Sequence, residues 1–291
     1  MLCSETPVGF TTCKLCGDRQ DEKLFAKQGW DFLRCKSCGL VTIDPIPTAA
    51  EVESNHDESY ADGEYAAFAS AQGVRQGIAA SRLSAVRPLA PEGPWLDVGA
   101  STGAFVGEVA AAGLDAEGLE ISQVAVAQAQ ARGLRVHRSA VEDYRPEREY
   151  AVVTAFDLVE HLVDPVPFVR QMSEWLQPGG LMAITVPNIA SFAARLLGPR
   201  WFFYAPPDHI HYFTPTTIRQ LLGETSLEQI SIQPSYKPLT MDYAAEQLGH
   251  FLPALAPVVG GVARILPQRL SGFAWPLPIG EILVTGRRGR S

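Results

Sequence analysis

The chain of 291 residues is 46% apolar and carries a formal net charge of −8. That length accommodates one large domain with a small companion, and the acid excess disfavours a protein built to grip nucleic-acid backbones. No uncharged apolar run reaches the roughly 20 residues of a membrane span, and MLCSETPVGF lacks the basic-then-apolar pattern of a secretion signal. A cytoplasmic chain without a transmembrane segment is expected.

Of the five cysteines, Cys3 stands alone and reads as a free thiol, while Cys13-x2-Cys16 and Cys35-x2-Cys38 form two pairs inside CKLCG and CKSCG. Without a secretion signal, paired cysteines read as metal ligands rather than disulfides. Four thiolates at this separation suit a structural Zn2+ ion with a closed coordination sphere and no open catalytic position. The glycine after each pair tolerates the backbone with which such a turn ends. Between the pairs, Lys23–Phe25 and Trp30–Leu33 are expected to form a hairpin. Six Lys/Arg against five Asp/Glu over residues 10–47 make no basic stripe, so a folded cap or docking unit is favoured over a nucleic-acid grip. This zinc ribbon spans 1–47, closed by Pro45 and Pro47, and 48–93 supplies an acidic linker and a helix near Gly73–Val86.

From Trp95 strands and helices alternate, which predicts a parallel, doubly wound sheet over 94–291. Strands are expected at Trp95–Val98, Ala116–Glu120, Arg135–His137, Ala151–Phe156, Leu181–Val186, Ser226–Gln233 and Glu281–Thr285. Helices are expected at Ala104–Ala112, Gln123–Arg132, Pro167–Leu176 and Pro215–Glu224. Ligands of such sheets bind at the carboxyl ends of the strands. There, LDVGASTGAF puts Asp97 on the strand and Gly99 and Gly103 in a tight turn before a helix whose N-terminus suits a carboxylate. Ser101 in place of a middle glycine departs from the dinucleotide fingerprint. Glu120, twenty-three residues after Asp97, is placed to accept ribose hydroxyls. Ile121 beside it suits an adenine face, and Ser122 would cap the next helix. In SAVEDY, the Val141 backbone and the Glu142 or Asp143 carboxylate could reach an adenine amino group.

LDVGASTG, GLEIS, AVEDY, FDLVEHLVDP and LQPGGLMAITVPN together resemble the class I S-adenosylmethionine (SAM)-dependent methyltransferases. The resemblance implies an α/β, Rossmann-like seven-stranded, mostly parallel sheet, here preceded by the ribbon, and SAM as methyl donor. It implies Asp97, Gly99, Ala100, Ser101 and Gly103 near the methionine part and Glu120 on the ribose. Ile121, Val141 and Glu142 would lie near adenine, with Phe156 at the fourth strand end. The pattern CxxCG…RCKSCGLVTIDPIPT…Y is similar to the arrangement in zinc-containing sugar C-methyltransferases. Those carry a further C-terminal domain for which this chain lacks the length.

Methyl transfer needs an aligned acceptor, exclusion of water and, for weak nucleophiles, a base. Asp157-x-x-Glu160-His161 follows the fourth strand, and its spacing resembles the metal-linked motif of ubiquinone-pathway O-methyltransferases, with Asp for the first Glu. Orientation of the acceptor by Glu160 and His161 is preferred here. PDHIHYF follows the fifth strand, and an imidazole suits proton uptake near neutrality. His209 is the first choice of base and His211 the second, two residues apart in an extended segment that should face them to one side. Asn188, Trp201 and Tyr204 are expected to line the acceptor pocket, with Tyr60 and Tyr65 of the linker closing its mouth. Residues 236–278 form a proline-broken apolar insertion, read as a helical cap or a homodimer contact ahead of a membrane-facing patch. The expected activity is methylation of a hydroxyl or carbon on a sugar, nucleotide-sugar or other natural product. An RNA methyltransferase that docks through the ribbon, and a non-catalytic SAM-binding scaffold, are the alternatives.

Overall fold

The two CxxCG units bracket a run rich in aromatic and branched residues, and that run pairs into a hairpin. The computed structural model describes residues 11–48, 50–52, 72–239 and 275–290. Strands β1 (Thr11–Thr12), β2 (Arg19–Lys27), β3 (Trp30–Cys35) and β4 (Val41–Asp44) follow one another antiparallel. Gln28 and Gly29, both at positive φ, make the two-residue turn between β2 and β3, the backbone that matches strand twist in short hairpins.

The larger sheet contains β5 (Trp95–Val98), β6 (Ala116–Glu120), β7 (Val136–Arg138), β8 (Tyr150–Phe156), β9 (Leu176–Pro187), β11 (Leu227–Leu239) and β12 (Trp275–Arg288). Its order is β11-β12-β9-β8-β5-β6-β7. β12 alone runs against its neighbours, so the sheet is mostly parallel and Rossmann-like, as expected. Every residue of β5, β6 and β8 is buried, because helices cover both faces. On one face lie α1 (Gln72–Val86), α2 (Ala104–Ala111) and α3 (Gln123–Ala131), through Leu83, Phe105, Val106 and Val126. On the other, α4 (Pro165–Glu174) contributes Phe168 and Met172. The short α5 (Phe192–Leu197) leaves Phe192 and Leu196 exposed. α6 (Pro215–Gly223) contributes Ile218 and Leu221, and its start is fixed by Pro215 and a Thr214–Thr217 capping box, which satisfies orphan N–H groups of the first turn. Several boundaries differ from expectation. Residues 236–239 and 275–278, expected within the helical insertion, are strand instead: β11 runs on to Leu239 and β12 begins at Trp275, and the two pair there. The helix expected to run to Leu176 stops at Glu174, and the next strand begins at Leu176, where the backbone pairs with Tyr150.

The two sheets are not separate bodies. A short strand, β10 (His211–Tyr212), leaves the larger domain and pairs antiparallel with β4, His211 opposite Thr42 and Tyr212 opposite Val41. The smaller sheet therefore has five strands, β1-β2-β3-β4-β10. Phe32, Val41 and Ile43 share one buried cluster with Trp201, Tyr204, Ile210 and Tyr212. Cys13, Leu15, Cys35 and Leu40 join the core beneath the large sheet.

At the carboxyl end of the large sheet, four charges knit five elements. Asp157, just after β8, pairs with Arg82 of α1 at 2.5 Å and Lys237 of β11 at 2.9 Å, and accepts from Thr185 of β9 at 2.9 Å. Glu281 of β12 pairs with the same Lys237 at 2.6 Å and accepts from Ser235 at 2.7 Å. Burial works against ionisation of Asp157, yet Arg82 and Lys237 hold its carboxyl well below the usual range. Two cations offset two anions, so removing one strands a buried charge. Lys237→Met is expected to lower unfolding free energy by about 3–5 kcal/mol in denaturant titrations. A loss below about 1 kcal/mol would contradict this reading of the quartet.

Candidate functional site

β5 lies between β6 and β8, both parallel to it. Chain order reverses at this point, which opens a crevice beyond the strand ends. The chain leaves β5 through Gly99, Ser101 and Gly103, with φ of +74°, +50° and +77°. The Gly99 and Ala100 N–H groups donate to Leu119 O at 2.9 and 3.0 Å, folding the turn onto the tip of β6. A Cβ on Gly99 would meet Leu158 at 3.0 Å, at a φ that glycine alone adopts without cost. Ser101 takes the same left-handed conformation with its N–H donating to Glu120 Oε2 at 2.8 Å.

Two carboxylates are buried at these tips. Asp97 stands in register with Thr154 of β8 and accepts the Thr154 hydroxyl at 2.6 Å. Burial pushes the Asp97 carboxyl up to about 7, against the pull of Thr154 and Arg82. Glu120 receives the N–H groups of Ser101, Ile121 and Ser122 at 2.8, 2.9 and 2.9 Å. A carboxylate offers about four acceptor positions, so three are occupied and Oε2 retains one. Ser122 is buried and caps α3 through Ala125 N–H, as expected. Beside Glu120, Ile121 is exposed. Val141 is buried, with its carbonyl accepting from Gln171 at 2.8 Å, and Glu142 is exposed on the same turn. Phe156, at the end of β8, packs between Phe105 and the Arg82 guanidinium.

Beyond β8 the expected acid-x-x-Glu-His group divides. Asp157 turns into the charge quartet, while Glu160 and His161, on the short helical turn Val159–His161, meet His209. One ligand atom from each of Glu160, His161 and His209 lies within 4.8 Å of the others, and such a trio could hold a cation. The rings of His161 and His209 meet edge to face, 4.7 Å between centroids. The Ile210 N–H donates to Glu160 O at 2.8 Å, tying the two segments together. Burial, reinforced by the charge of Asp157, raises Glu160 well above the ordinary carboxyl range. Burial and then His161 push His209 well below the ordinary imidazole range. Burial thus favours the neutral form of each. Glu160 Oε2 and His209 Nδ1 are buried without a hydrogen-bond partner in the protein, an arrangement that costs free energy until something polar arrives.

The other expected acceptor residues have different surroundings. His211 does not join His209: its Nδ1 meets Thr42 Oγ1 at 3.0 Å and its Nε2 donates to Val163 O at 3.4 Å. Burial brings it down to about 4. Trp201 is fully buried with its indole N–H toward Ile279 O, and Tyr204 stacks edge-on against Phe25 and Phe32 of the ribbon. Both are core residues: Trp201 packs on Phe203, which stacks beside the His209 ring, and Tyr204 packs on Tyr212. Asn188, at the end of β9, caps the following turn by accepting from Ala190 N–H. Tyr60, Tyr65 and residues 240–274 of the insertion lie outside the described residues.

The four sulfurs of Cys13, Cys16, Cys35 and Cys38 converge. Cys13 and Cys38 Sγ are 3.6 Å apart, and Cys16 and Cys35 Sγ are 3.5 Å apart. A tetrahedral zinc with bonds of about 2.3 Å spaces its sulfurs by about 3.8 Å, so the cluster fits that ion. The two knuckles repeat one geometry: Gly17 N–H donates to Cys13 O and Gly39 N–H to Cys35 O, both at 2.9 Å, with both glycines at positive φ.

Sequence patterns do not single out Arg75, Arg82, Thr154, Thr185, Lys237 or Glu281. Arg75 of α1 donates to Thr102 Oγ1 in the glycine turn at 3.1 Å. Lys237 lies over the Phe203 ring at 5.5 Å. A lone cation on α1 or β11 carries no local signal; only long-range packing assigns it a partner.

This fold, with a glycine turn and two buried carboxylates on adjacent tips, defines a class I methyltransferase. The chain belongs to the family described as "Methyltransferase domain", whose profile matches residues 71–232, and it is a SAM-dependent enzyme. It is 27% identical over 164 residues to the ubiquinone biosynthesis O-methyltransferase of Aliivibrio fischeri strain MJ11, covering 51% of this chain and 70% of that protein. The protein of that name from Nitrosospira multiformis is 28% identical over 167 residues, covering 52% and 70%. Among solved structures, a SAM-dependent methyltransferase from Thermotoga maritima superposes with a TM-score of 0.54 at 18% identity, covering 80% of this chain and 99% of the other. Phosphoethanolamine N-methyltransferase 2 of Haemonchus contortus gives 0.51 at 15%, covering 71% and 52%. Among the described residues no helix is long and apolar enough to cross a membrane.

The elevated Asp97 carboxyl gives a signed prediction. Its folded value, about 7, lies above the ordinary 3.8, so the folded state binds the proton more tightly. The stability this contributes is full below pH 4 and is lost as pH rises through 7. Asp97→Asn is therefore expected to gain about 2–4 kcal/mol over the parent between pH 5 and 8, read from denaturant midpoints at both pH values. Parallel curves for the two proteins would contradict it.

Proposed function

We propose that the chain transfers the methyl group of SAM to a hydroxyl oxygen of a small-molecule acceptor, with His209 as general base. The observation that carries this is the Glu160–His161–His209 trio beyond β8, where His209 Nδ1 and Glu160 Oε2 are buried without a partner. They supply an acceptor and a donor to one polar group on the substrate. The O-methyltransferase names of the two bacterial relatives favour oxygen over carbon. A sugar, nucleotide-sugar or other natural-product alcohol is the acceptor class.

On this reading Asp97 receives the methionine ammonium, and Gly99, Ala100, Ser101 and Gly103 bring backbone close to the same part. Glu120 accepts a ribose hydroxyl on its remaining Oε2 position, Ile121 covers an adenine face, and the Val141–Glu142 turn meets the base edge. Phe156 closes the space beside the methionine part. When bound, SAM supplies an electrophilic methyl group on a sulfonium. The side chains then act on the acceptor. Glu160, protonated, donates to it and orients it; His161 fixes the His209 ring edge to face; His209 Nδ1 takes its proton as the new bond forms. The site's net charge is conserved, since the positive charge leaving sulfur reappears on the imidazole. That balance suits a low-dielectric site, where an uncompensated charge is costly. Trp201 supports Phe203 beside the His209 ring, Tyr204 packs on Tyr212, and Asn188 shapes the turn after β9. The cysteine quartet holds structural Zn2+.

Calorimetry tests the first step: SAM is expected to bind in the micromolar range, and absence of binding at millimolar ligand would overturn the assignment. His209→Ala is expected to keep SAM affinity within about threefold while lowering turnover by about 10²- to 10⁴-fold. Unchanged turnover would remove His209 from the base role.

A further inference from the structure

Leu40 O, next to the second cysteine knuckle, accepts two hydrogen bonds. One comes from Cys35 N–H at 2.9 Å and the other from Gln20 Nε2 at 3.0 Å. The same Gln20 nitrogen reaches Thr42 Oγ1 at 3.2 Å. Thr42 Oγ1 lies 3.0 Å from His211 Nδ1, and His211 Nε2 faces Val163 O at 3.4 Å. Proton directions along this line follow from the groups. The Gln20 amide can only donate from nitrogen, so the Thr42 hydroxyl proton is left for His211 Nδ1, and the remaining ring N–H points to Val163 O. Gln20, Thr42 and His211 are all at most 1% exposed, so no water competes. Val163 is two residues past His161.

A second set of contacts runs beside the first. Ile43 N–H donates to Ile210 O at 3.0 Å, and Ile210 N–H donates to Glu160 O at 2.8 Å. Lys27 Nζ donates to Tyr204 O at 2.6 Å. Residues 204–212 thus lie between the cysteine-bearing sheet and the Val159–His161 turn, and their only strand partner among the described residues is β4. The hydrogen bonds of the glycine turn, by contrast, run to Leu119, Glu120, Arg75 and Arg132. The cysteine module adjoins the acceptor side and leaves the nucleoside side to the large sheet.

We propose that the four-cysteine module is a positioning device for the acceptor site, in which Gln20, Thr42 and His211 transmit the geometry of the metal-holding knuckle to His209 and the Glu160–His161 turn. This rests on the reading of His209 as base and of the cysteines as zinc ligands. His211 acts through its neighbours as a positioning residue. Removing the ion loosens the knuckle, the Leu40 carbonyl loses its fixed place, and β10 loses its template. SAM binding, built on other strands, persists.

The test uses the full chain, with the ion removed by a chelator and restored with zinc chloride, and metal content followed by native mass spectrometry. Hydrogen–deuterium exchange is read for peptides covering 204–214 and 95–104. Metal removal is expected to speed exchange in 204–214 at least tenfold, to leave 95–104 and SAM affinity within twofold, and to reverse on zinc addition. Equal acceleration of both peptides would overturn the proposal, since the ion would then serve the whole fold. Unchanged 204–214, or a purified chain without metal, would overturn it while leaving methyl transfer intact. Thr42→Val keeps the cysteines and gives a second arm. It is expected to lower kcat about tenfold with KM for SAM unchanged, and Thr42→Ser is expected to restore kcat. A Thr42→Val enzyme with parental kcat would sink the relay even if the exchange result held, and turnover lost only through weaker SAM binding would do the same.

Discussion

The parallel register of β5 against β6 and β8 is the constraint on which everything else depends. It sets Asp97 beside Thr154 and Gly118, brings the Leu119 carbonyl under the glycine turn, and leaves Glu120 to collect three backbone N–H groups. Two carboxylates are thereby held out of water at one mouth. One is satisfied by backbone; the other is pushed toward its neutral form. A buried acid in that condition favours an arriving cation, because the cation relieves the desolvation that raised its pKa. The fold stores this preference in the strand tips rather than in a loop.

The proposed acceptor side solves a different problem. Its groups come from segments far apart in sequence, Glu160–His161 and His209, and must be held against thermal motion without a sheet of their own. The charge quartet does part of this by fixing Asp157 and hence the backbone entering the Val159–His161 turn. The five-stranded sheet does the rest through β10. Because Asp157 is engaged with Arg82 and Lys237, it is not aligned with Glu160 and His161, and the carboxylate-rich arrangement suggested by their spacing is replaced by a trio with His209.

How much of this was legible in the residues varies with distance along the chain. The strands from Trp95 to Phe156, the Gly99–Gly103 turn and the Ser122 cap carry strong local patterns, and the structure has them within a residue or two. The cysteine convergence follows from two CxxCG units and is present. The role of β10 had no such signal, since two residues show no periodicity and their partner lies 169 positions away. Spacing places His211, the second choice of base, on the same side as His209; a threonine from the other sheet gives it different surroundings. Arg82 and Lys237 were silent because a single cation acquires meaning only when folding brings Asp157 and Glu281 to it.

The most direct test of the central claim is a crystal structure with S-adenosylhomocysteine. The nucleoside is expected across the tips of β5 and β6, its ribose on Glu120 and its amino group on Asp97, with sulfur facing the Glu160–His161–His209 trio. A nucleoside bound anywhere else, or a sulfur turned away from that trio, would contradict it.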